Sequence, residues 1–353
     1  MSPITNLYRG KKVFITGAAG TIGQELVKQL LNMDVAEIRA YDNNESEVFF
    51  LNERHRKTGK VNCFFGDIRD QDSLSRHCRD VDIILHTAAL KHVMVSEMSP
   101  LNAVKTNVDG TANVIRAALN SETVSRVIYT SSDKAVNPTN VMGTTKLLGE
   151  RLMTSATNLP TPGRKIIFSS TRFGNVIASK GSVVPIFYNQ IKNQGSITLT
   201  DEQMTRFIMT IPEATRLVLE ASLKALGGEV FVTKMPVMRI VDLAKAMIDL
   251  VAPRFGRAPS DIGVEIIGSK PGEKLYEELM TEEETSRALE IENMYVVKPS
   301  FSPIYETIDY TSYDGCVNKP ITRAYVSSTE TPMTVDEIKD YLASKQILDS
   351  LGD

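Results

Sequence analysis

Cysteine is scarce in this chain. Cys63, Cys78 and Cys316 are the only three in 353 residues, no two are spaced as CxxC, and an odd number leaves at least one unpaired. That argues against a disulfide framework and for a reducing, cytoplasmic setting. Histidine is nearly as rare: His55, His77, His86 and His92 lack a ligand spacing such as HExxH, so no metal site is expected. Charge of one sign is missing too. The 40 Lys+Arg and 43 Asp+Glu give a formal net charge of −3 with no run of like charges, which excludes a dedicated nucleic-acid or polybasic membrane surface. No apolar run approaches the roughly 18 residues of a spanning helix, and the start MSPITNLYRGKK has no apolar core behind its charges, so neither an integral membrane segment nor a signal peptide is expected. What is present is 42% hydrophobic content with well-mixed charge, enough to bury a sizeable core.

The hydrophobic pattern alternates between two periods. Lys12–Thr16 is a short β-branched run, and Thr21–Leu31 then places Ile22, Leu26, Val27, Leu30 and Leu31 at helical spacing. Further strands are predicted at Glu37–Tyr41, Val61–Phe65, Asp82–His86, Val124–Thr130 and Lys165–Thr171, with helical segments around Ser46–Arg56, Ser73–Cys78 and Asn102–Leu119 between them. Strands alternating with helices and buried on both faces imply a Rossmann-type α/β fold, a parallel sheet wrapped by helices with right-handed crossovers. From about Gly174 the alternation loosens. The expected division is a dinucleotide-binding domain over 1–174 with a return segment at about 206–234, and a smaller, discontinuous substrate lobe over 175–205 and 235–353. The last helix has a legible start, because Thr334 to Glu337 reads T-x-x-E, a capping box.

The first strand runs into Thr16-Gly17-Ala18-Ala19-Gly20-Thr21-Ile22-Gly23, a TGxxGxxG loop opening a helix. Glycines at these positions permit a tight turn and close backbone approach, and the helix N-terminus offers N–H groups and a positive dipole end to a pyrophosphate. Asp42 lies about twenty residues on, at the end of the second strand, where a carboxylate accepts from adenosine ribose hydroxyls. Asn43, Asn44 and Glu45 follow it instead of an arginine, so NAD is expected over NADP. Asp67-Ile68 after the third strand suits the adenine, although such an aspartate can equally cap the next helix.

At this point the chain resembles the extended short-chain dehydrogenase/reductases, whose adenine-loop Asp, Ala-Ala pair after the fourth strand and helix Asn match Asp67, Ala88-Ala89 and Asn107. The resemblance sharpens over Thr130–Glu150 (TSSDKAVNPTNVMGTTKLLGE), with Leu90-Lys91-His92-Val93, Thr171-Arg172-Phe173-Gly174-Asn175, Thr205-Arg206-Phe207 and Lys270-Pro271-Gly272-Glu273-Lys274-Leu275. As an ordered set these motifs resemble the nucleotide-sugar 4,6-dehydratases that act on UDP-N-acetylglucosamine (UDP-GlcNAc). The resemblance implies NAD as cofactor, UDP-GlcNAc as substrate, a homo-oligomer, and a product of the UDP-4-keto-6-deoxy class for surface glycan synthesis. One departure stands out. The family places a tyrosine four residues before a lysine, and here Met142 precedes Lys146; a thioether cannot take a proton from a sugar hydroxyl. Methionine there resembles one branch of the dehydratases, typified by larger membrane-anchored members, and implies retention at C5.

The candidate acid/base groups are Ser132-Asp133-Lys134 at the C-terminal mouth of a strand, where open α/β sheets bind ligands. In a continuing strand Asp133 and Lys134 would point to opposite faces, so they converge only if the strand has ended. Lys134 is expected to act as base at C5 and Asp133 as acid at the C6 hydroxyl, with Ser132 or a water held by Lys146 serving the C4 hydroxyl. Arg172, Lys180, Arg206, Lys270 and Lys274 could bring cations to a diphosphate, and Glu273 could accept from a ribose hydroxyl. The resemblance puts Asn175, Arg206 and the Lys270–Glu273 loop near the nucleotide, with lysine at 270 where the family usually has arginine; Lys91 and His92 follow the fourth strand by the nicotinamide, where either could equally serve in packing a helix start. Two other readings fit the same fold: a UDP-sugar 4-epimerase, and an inactive protein that binds NAD and a UDP-sugar.

Overall fold

The computed structural model describes residues 2–349 except 162, 180, 269–271, 302–307 and 318. The described chain divides into two compact units, one comprising 1–172, 215–233 and 281–323, the other 173–214, 234–280 and 324–353.

The first unit is built on one sheet. Strands β1 (Lys12–Thr16), β2 (Glu37–Asp42), β3 (Val61–Phe65), β4 (Ile83–His86), β5 (Arg126–Thr130) and β6 (Ile167–Arg172) lie in the order 3-2-1-4-5-6, all parallel. This is the doubly wound order, with its switch point between β1 and β4. The predicted strands fall within a residue or two of these bounds. Beyond β6 the sheet continues with β10 (Val230–Thr233), again parallel. It then turns antiparallel through β15 (Met294–Val297), β14 (Ala288–Ile291) and β16 (Cys316–Val317). This edge explains where the expected division differs: 281–323 belongs with the first unit, because β14 and β15 extend its sheet. The return segment likewise begins at 215. One face buries Phe14, Tyr41, Leu74, Val114, Val127, Met153 and Phe168 against the flanking helices.

The second unit holds three small sheets. They are β7 (Asn175–Val176), β9 (Thr205–Met209) and β11 (Val237–Arg239) in the order 11-9-7; β8 (Ser196–Leu199) beside β12 (Gly263–Ile266); and β13 (Glu278–Met280) beside β17 (Tyr325–Val326). Its core packs the helices Val183–Asn193, Ile240–Val251 and Val335–Ser344 through Phe187, Ile191, Leu243, Met247, Ile338 and Leu342. The last of these helices begins on the expected capping box: Glu337 N donates to Thr334 Oγ1, and Thr334 N to Glu337 Oε2.

Candidate active site

The Gly-rich loop is shaped for close approach. Gly17 has φ +70°, and a β-carbon on it would stand 2.6 Å from Ala88 N, so the chain after β4 runs directly past the loop. A β-carbon on Gly23 would collide with the Gly17 carbonyl, so the third glycine lets the helix Thr21–Leu31 press onto the turn. Gly20 is the N-cap of that helix and contributes no side chain, which leaves the first-turn N–H groups unshielded by one. Together, a bare helix N-terminus and a turn without side chains fit the pyrophosphate of a dinucleotide. Thr21 and Ile22 form the first turn, half-buried.

Asp42 closes this corner. Its Oδ2 accepts from Ala19 N at 3.0 Å and its Oδ1 from Asn44 N at 3.0 Å, each oxygen keeping a second lone pair for a ribose hydroxyl. Asp67 binds its neighbour Arg69, through Nε (2.9 and 3.0 Å) and the backbone N–H (2.8 Å). Burial alone would raise the Asp67 pKa, but these bonds hold it below the usual carboxylate range. It is not the cap of the next helix, since Asp70 fills that position by accepting from Ser73 N. Ile68 is buried against Gly110, where any β-carbon would meet it.

Asn107 ties the segment after β4 to the helices. It sits in a π-helical turn, Lys105–Asp109; its amide donates to Leu90 O (3.0 Å) and Thr145 Oγ1 (2.9 Å), and its oxygen accepts from Leu90 N (2.8 Å). Ala88 and Ala89 are thereby held beside the glycines. Lys91 and His92 follow, both largely exposed; His92 is the N-cap residue of Val93–Met98 without capping through its side chain, and partial desolvation by the surrounding chain lowers the Lys91 pKa.

β5 ends at Thr130, and a single 3₁₀ turn, Asp133–Ala135, follows. This break in the strand brings Asp133 and Lys134 together: Lys134 Nζ lies 3.0 and 3.2 Å from the two Asp133 oxygens, and Ser132 Oγ donates to Asp133 Oδ1 at 2.6 Å. Asp133 is 4% exposed, whereas the Lys134 side chain is 33% exposed. The helix Val141–Ala156 is packed hard on this turn, because Gly143 faces the Lys134 carbonyl with no room for a β-carbon. Met142, 2% exposed, occupies its first turn. One turn on, buried Lys146 donates to Thr130 O (2.9 Å), and its ammonium stands 4.8 Å from the Tyr129 ring centre. Burial lowers its pKa to about 8.

One expectation about cations needs revision. Arg172 does not reach toward a ligand: it is fully enclosed, with Nε and Nη2 on Glu150 (2.8 and 2.7 Å) and Nη1 and Nη2 on Glu284 (2.9 and 2.9 Å). Glu284 lies 112 residues downstream and also closes a capping box with Thr281. Thr281-Glu282-Glu283-Glu284 is a T-x-x-E like the one at 334, so the helix start was legible although its partner was not.

In the second unit Asn175, Arg206 and Glu273 do come together, around a residue that sequence reasoning missed. Glu277, 5% exposed, accepts from Asn175 Nδ2 at 2.8 and 2.7 Å and faces Arg206 Nε at 3.2 Å; Glu273 stands 3.7 Å from Arg206 Nη2. Lys274 pairs with Glu278 at 3.1 Å. Lys180, Lys270 and Pro271 lie outside the described residues.

Among solved structures, Pen from Bacillus thuringiensis matches with a TM-score of 0.86 and 38% identity, over 96% of this chain and 99% of that one. Among curated proteins, MJ1061 of Methanocaldococcus jannaschii, described as an uncharacterized membrane protein, is 51% identical over 84% of this chain and 88% of its own length. A UDP-N-acetylglucosamine 4,6-dehydratase (inverting) of Campylobacter jejuni is 37% identical over 86% and 88%. A UDP-glucose 4-epimerase of Rickettsia massiliae is 33% identical over 95% and 96%. Among the described residues no helix is long and apolar enough to cross a membrane. The family described as "Polysaccharide biosynthesis protein" matches residues 13–299, most of both units, and with the sheet order and Gly-rich turn already seen, the chain belongs to that family, on the extended short-chain dehydrogenase/reductase fold.

Proposed function

We propose that the chain is a UDP-GlcNAc 4,6-dehydratase that uses NAD held by the first unit and a UDP-sugar held by the second. The observation that carries this reading is the Ser132-Asp133-Lys134 turn: a buried carboxylate in contact with both a hydroxyl and an amine, at the C-terminal end of a parallel strand. An epimerase needs a hydride shuttle but no acid and base for expelling water.

NAD, when bound at the Gly-rich loop, would supply the hydride acceptor for C4 and the hydride returned to C6. The chain's own residues move protons. Ser132 already donates to Asp133, so the C4 hydroxyl proton passes to Ser132 as the serine's own proton passes to Asp133. Asp133 is then the carboxylic acid that protonates the departing C6 hydroxyl, and one proton has travelled from one substrate oxygen to the other. With Asp133 neutral, Lys134 has lost that counter-charge and releases its extra proton to solvent through its exposed side; the neutral amine then takes the C5 proton, acidified by the new C4 carbonyl. Because Lys134 takes that proton and returns it from the same side, C5 keeps its configuration. The Campylobacter relative carries the opposite word in its name, so the first product is the decisive species; an L-arabino form seen first by NMR overturns retention.

Mass spectrometry of purified protein incubated with NAD and UDP-GlcNAc tests the whole reading. Loss of one water is expected. Unchanged mass with a new sugar epimer would support the second reading, which the 33% identity to a named 4-epimerase favours. Unreacted substrate in the presence of bound NAD would leave only a binding protein.

A further inference from the structure

The guanidinium expected to grip a diphosphate is already occupied. Arg206 Nη1 donates to Thr205 O (2.8 Å) and Leu275 O (3.2 Å), Nη2 to Lys274 O (2.9 Å) and Met204 Sδ (2.8 Å), and Nε faces Glu277. A guanidinium has five N–H groups in a fixed fork, and all three of its nitrogens here are turned to acceptors of the chain itself. Its charge is answered too: with Glu277 at 3.2 Å and Glu273 at 3.7 Å, a doubly charged diphosphate would meet one cation flanked by two carboxylates. Glu277 is in turn fixed through its backbone, its N–H donating to Ser327 Oγ (2.9 Å) and its carbonyl accepting from Ser327 N (2.8 Å), while Ser327 Oγ meets Thr205 Oγ1 at 2.8 Å. Thr205 N donates to Leu275 O at 3.0 Å. Apart from the contacts Arg206 makes with Thr205 and Met204 beside it, these bonds join the segment 272–277 to β9 or to Ser327 just after β17, or join Ser327 to β9.

We infer that Arg206 and Glu277 form a clasp that sets the segment 272–277 against β9, so that both are positioning residues and neither is a phosphate ligand. Recognition of the nucleotide then comes from groups that the clasp places. The inference rests on the reading that the second unit takes the UDP moiety, and it departs from that reading only in the role of Arg206.

The test compares UDP with uridine, which lacks the phosphates, by calorimetry on the full chain. For a clasp, Arg206→Ala and Glu277→Ala each weaken UDP and uridine by the same factor, on the order of tenfold, the scale for residues that act on a ligand only through the groups they position. The double variant is then no weaker than either single one, since both remove the same device. Trypsin should also cut after Lys274 faster in each variant than in the parent. Glu277→Gln keeps the shape without the charge and should fall between parent and alanine, which guards against a simple folding failure. Loss of UDP affinity with uridine unchanged in Arg206→Ala, or UDP affinity that rises in Glu277→Gln, would make Arg206 a phosphate ligand and overturn the clasp. Should the parent bind neither compound, the substrate reading fails, and the proteolysis arm still decides: cleavage after Lys274 at the parent rate in both alanine variants overturns the clasp.

Discussion

Two ion clusters of the first unit use the same kinds of group to different ends. Around Arg172 everything is sealed, with the three side chains of Arg172, Glu150 and Glu284 between 2% and 5% exposed. At Asp133 the carboxylate is equally buried, but its cation is one-third open and a hydroxyl shares the same oxygen. A sealed cluster cannot exchange protons with a substrate without coming apart, so it contributes position and stability. The half-open one can change partners.

The largest effect should come from breaking the sealed cluster. Arg172→Met strands two buried carboxylates and should destabilise the protein by about 3–5 kcal/mol, read from urea unfolding. Unchanged stability with lost substrate binding would instead make Arg172 a ligand, and the contrast with Asp133 would vanish.

A sealed carboxyl without such a cluster sharpens the contrast through pH. Glu229 is fully buried and accepts from Leu226 N and Gly227 N, both at 2.7 Å. Burial raises its pKa to about 7 in spite of those bonds. The folded state therefore holds a proton that the unfolded chain releases near pH 4.5, so this contribution is complete below 4.5 and is lost as pH rises through 7. At about 1.36 kcal/mol per pH unit, the difference in stability between parent and Glu229→Gln should shift by up to ~3 kcal/mol across that window. A difference that is flat with pH would show that the group is ionised when folded.

In the half-open cluster the effect should fall on rate. Asp133→Asn and Lys134→Ala should each lower turnover by roughly 10² or more while NAD binding and the unfolding midpoint stay near the parent values. If either variant loses mainly stability, Asp133–Lys134 belongs with Arg172 as a structural pair. The smallest effect is expected at Asp42, whose carboxylate is shared between loop and ligand: Asp42→Ala should weaken NAD by about 1–3 kcal/mol in a fluorescence titration. NADP binding as tightly as NAD in the parent would remove Asp42 as the discriminating group.

Local pattern made the first six strands, the Gly-rich turn and the final capping box readable, because each is dictated by neighbours a few residues apart. The break after Thr130 was half-readable: the convergence of Asp133 and Lys134 required it, and Ala135-Val136-Asn137-Pro138 suggested it. What stayed hidden depends on distance along the chain. Nothing near Arg172 announces Glu284, nothing near Arg206 announces Glu277, and the antiparallel return of β14 and β15 onto β10 has no marker in a chain that until then reads as parallel. Arginine in a motif signals a carboxylate or phosphate partner, but only the fold decides whether the chain supplies it.

The π-helical turn at Lys105–Asp109 bears on how kin of this chain should be aligned. Such a turn accommodates one residue more than an α-helical turn would, and a single-residue change of length turns the helix by about 100°. Here buried Ala103 precedes it and buried Thr111 follows it, with Asn107 clamped between. A relative that lacks one residue in this stretch has not merely shortened a surface element. It has rotated one side of the helix against the other and released the grip on Leu90, so a one-position gap at 105–109 marks a different way of holding the chain beside the glycines.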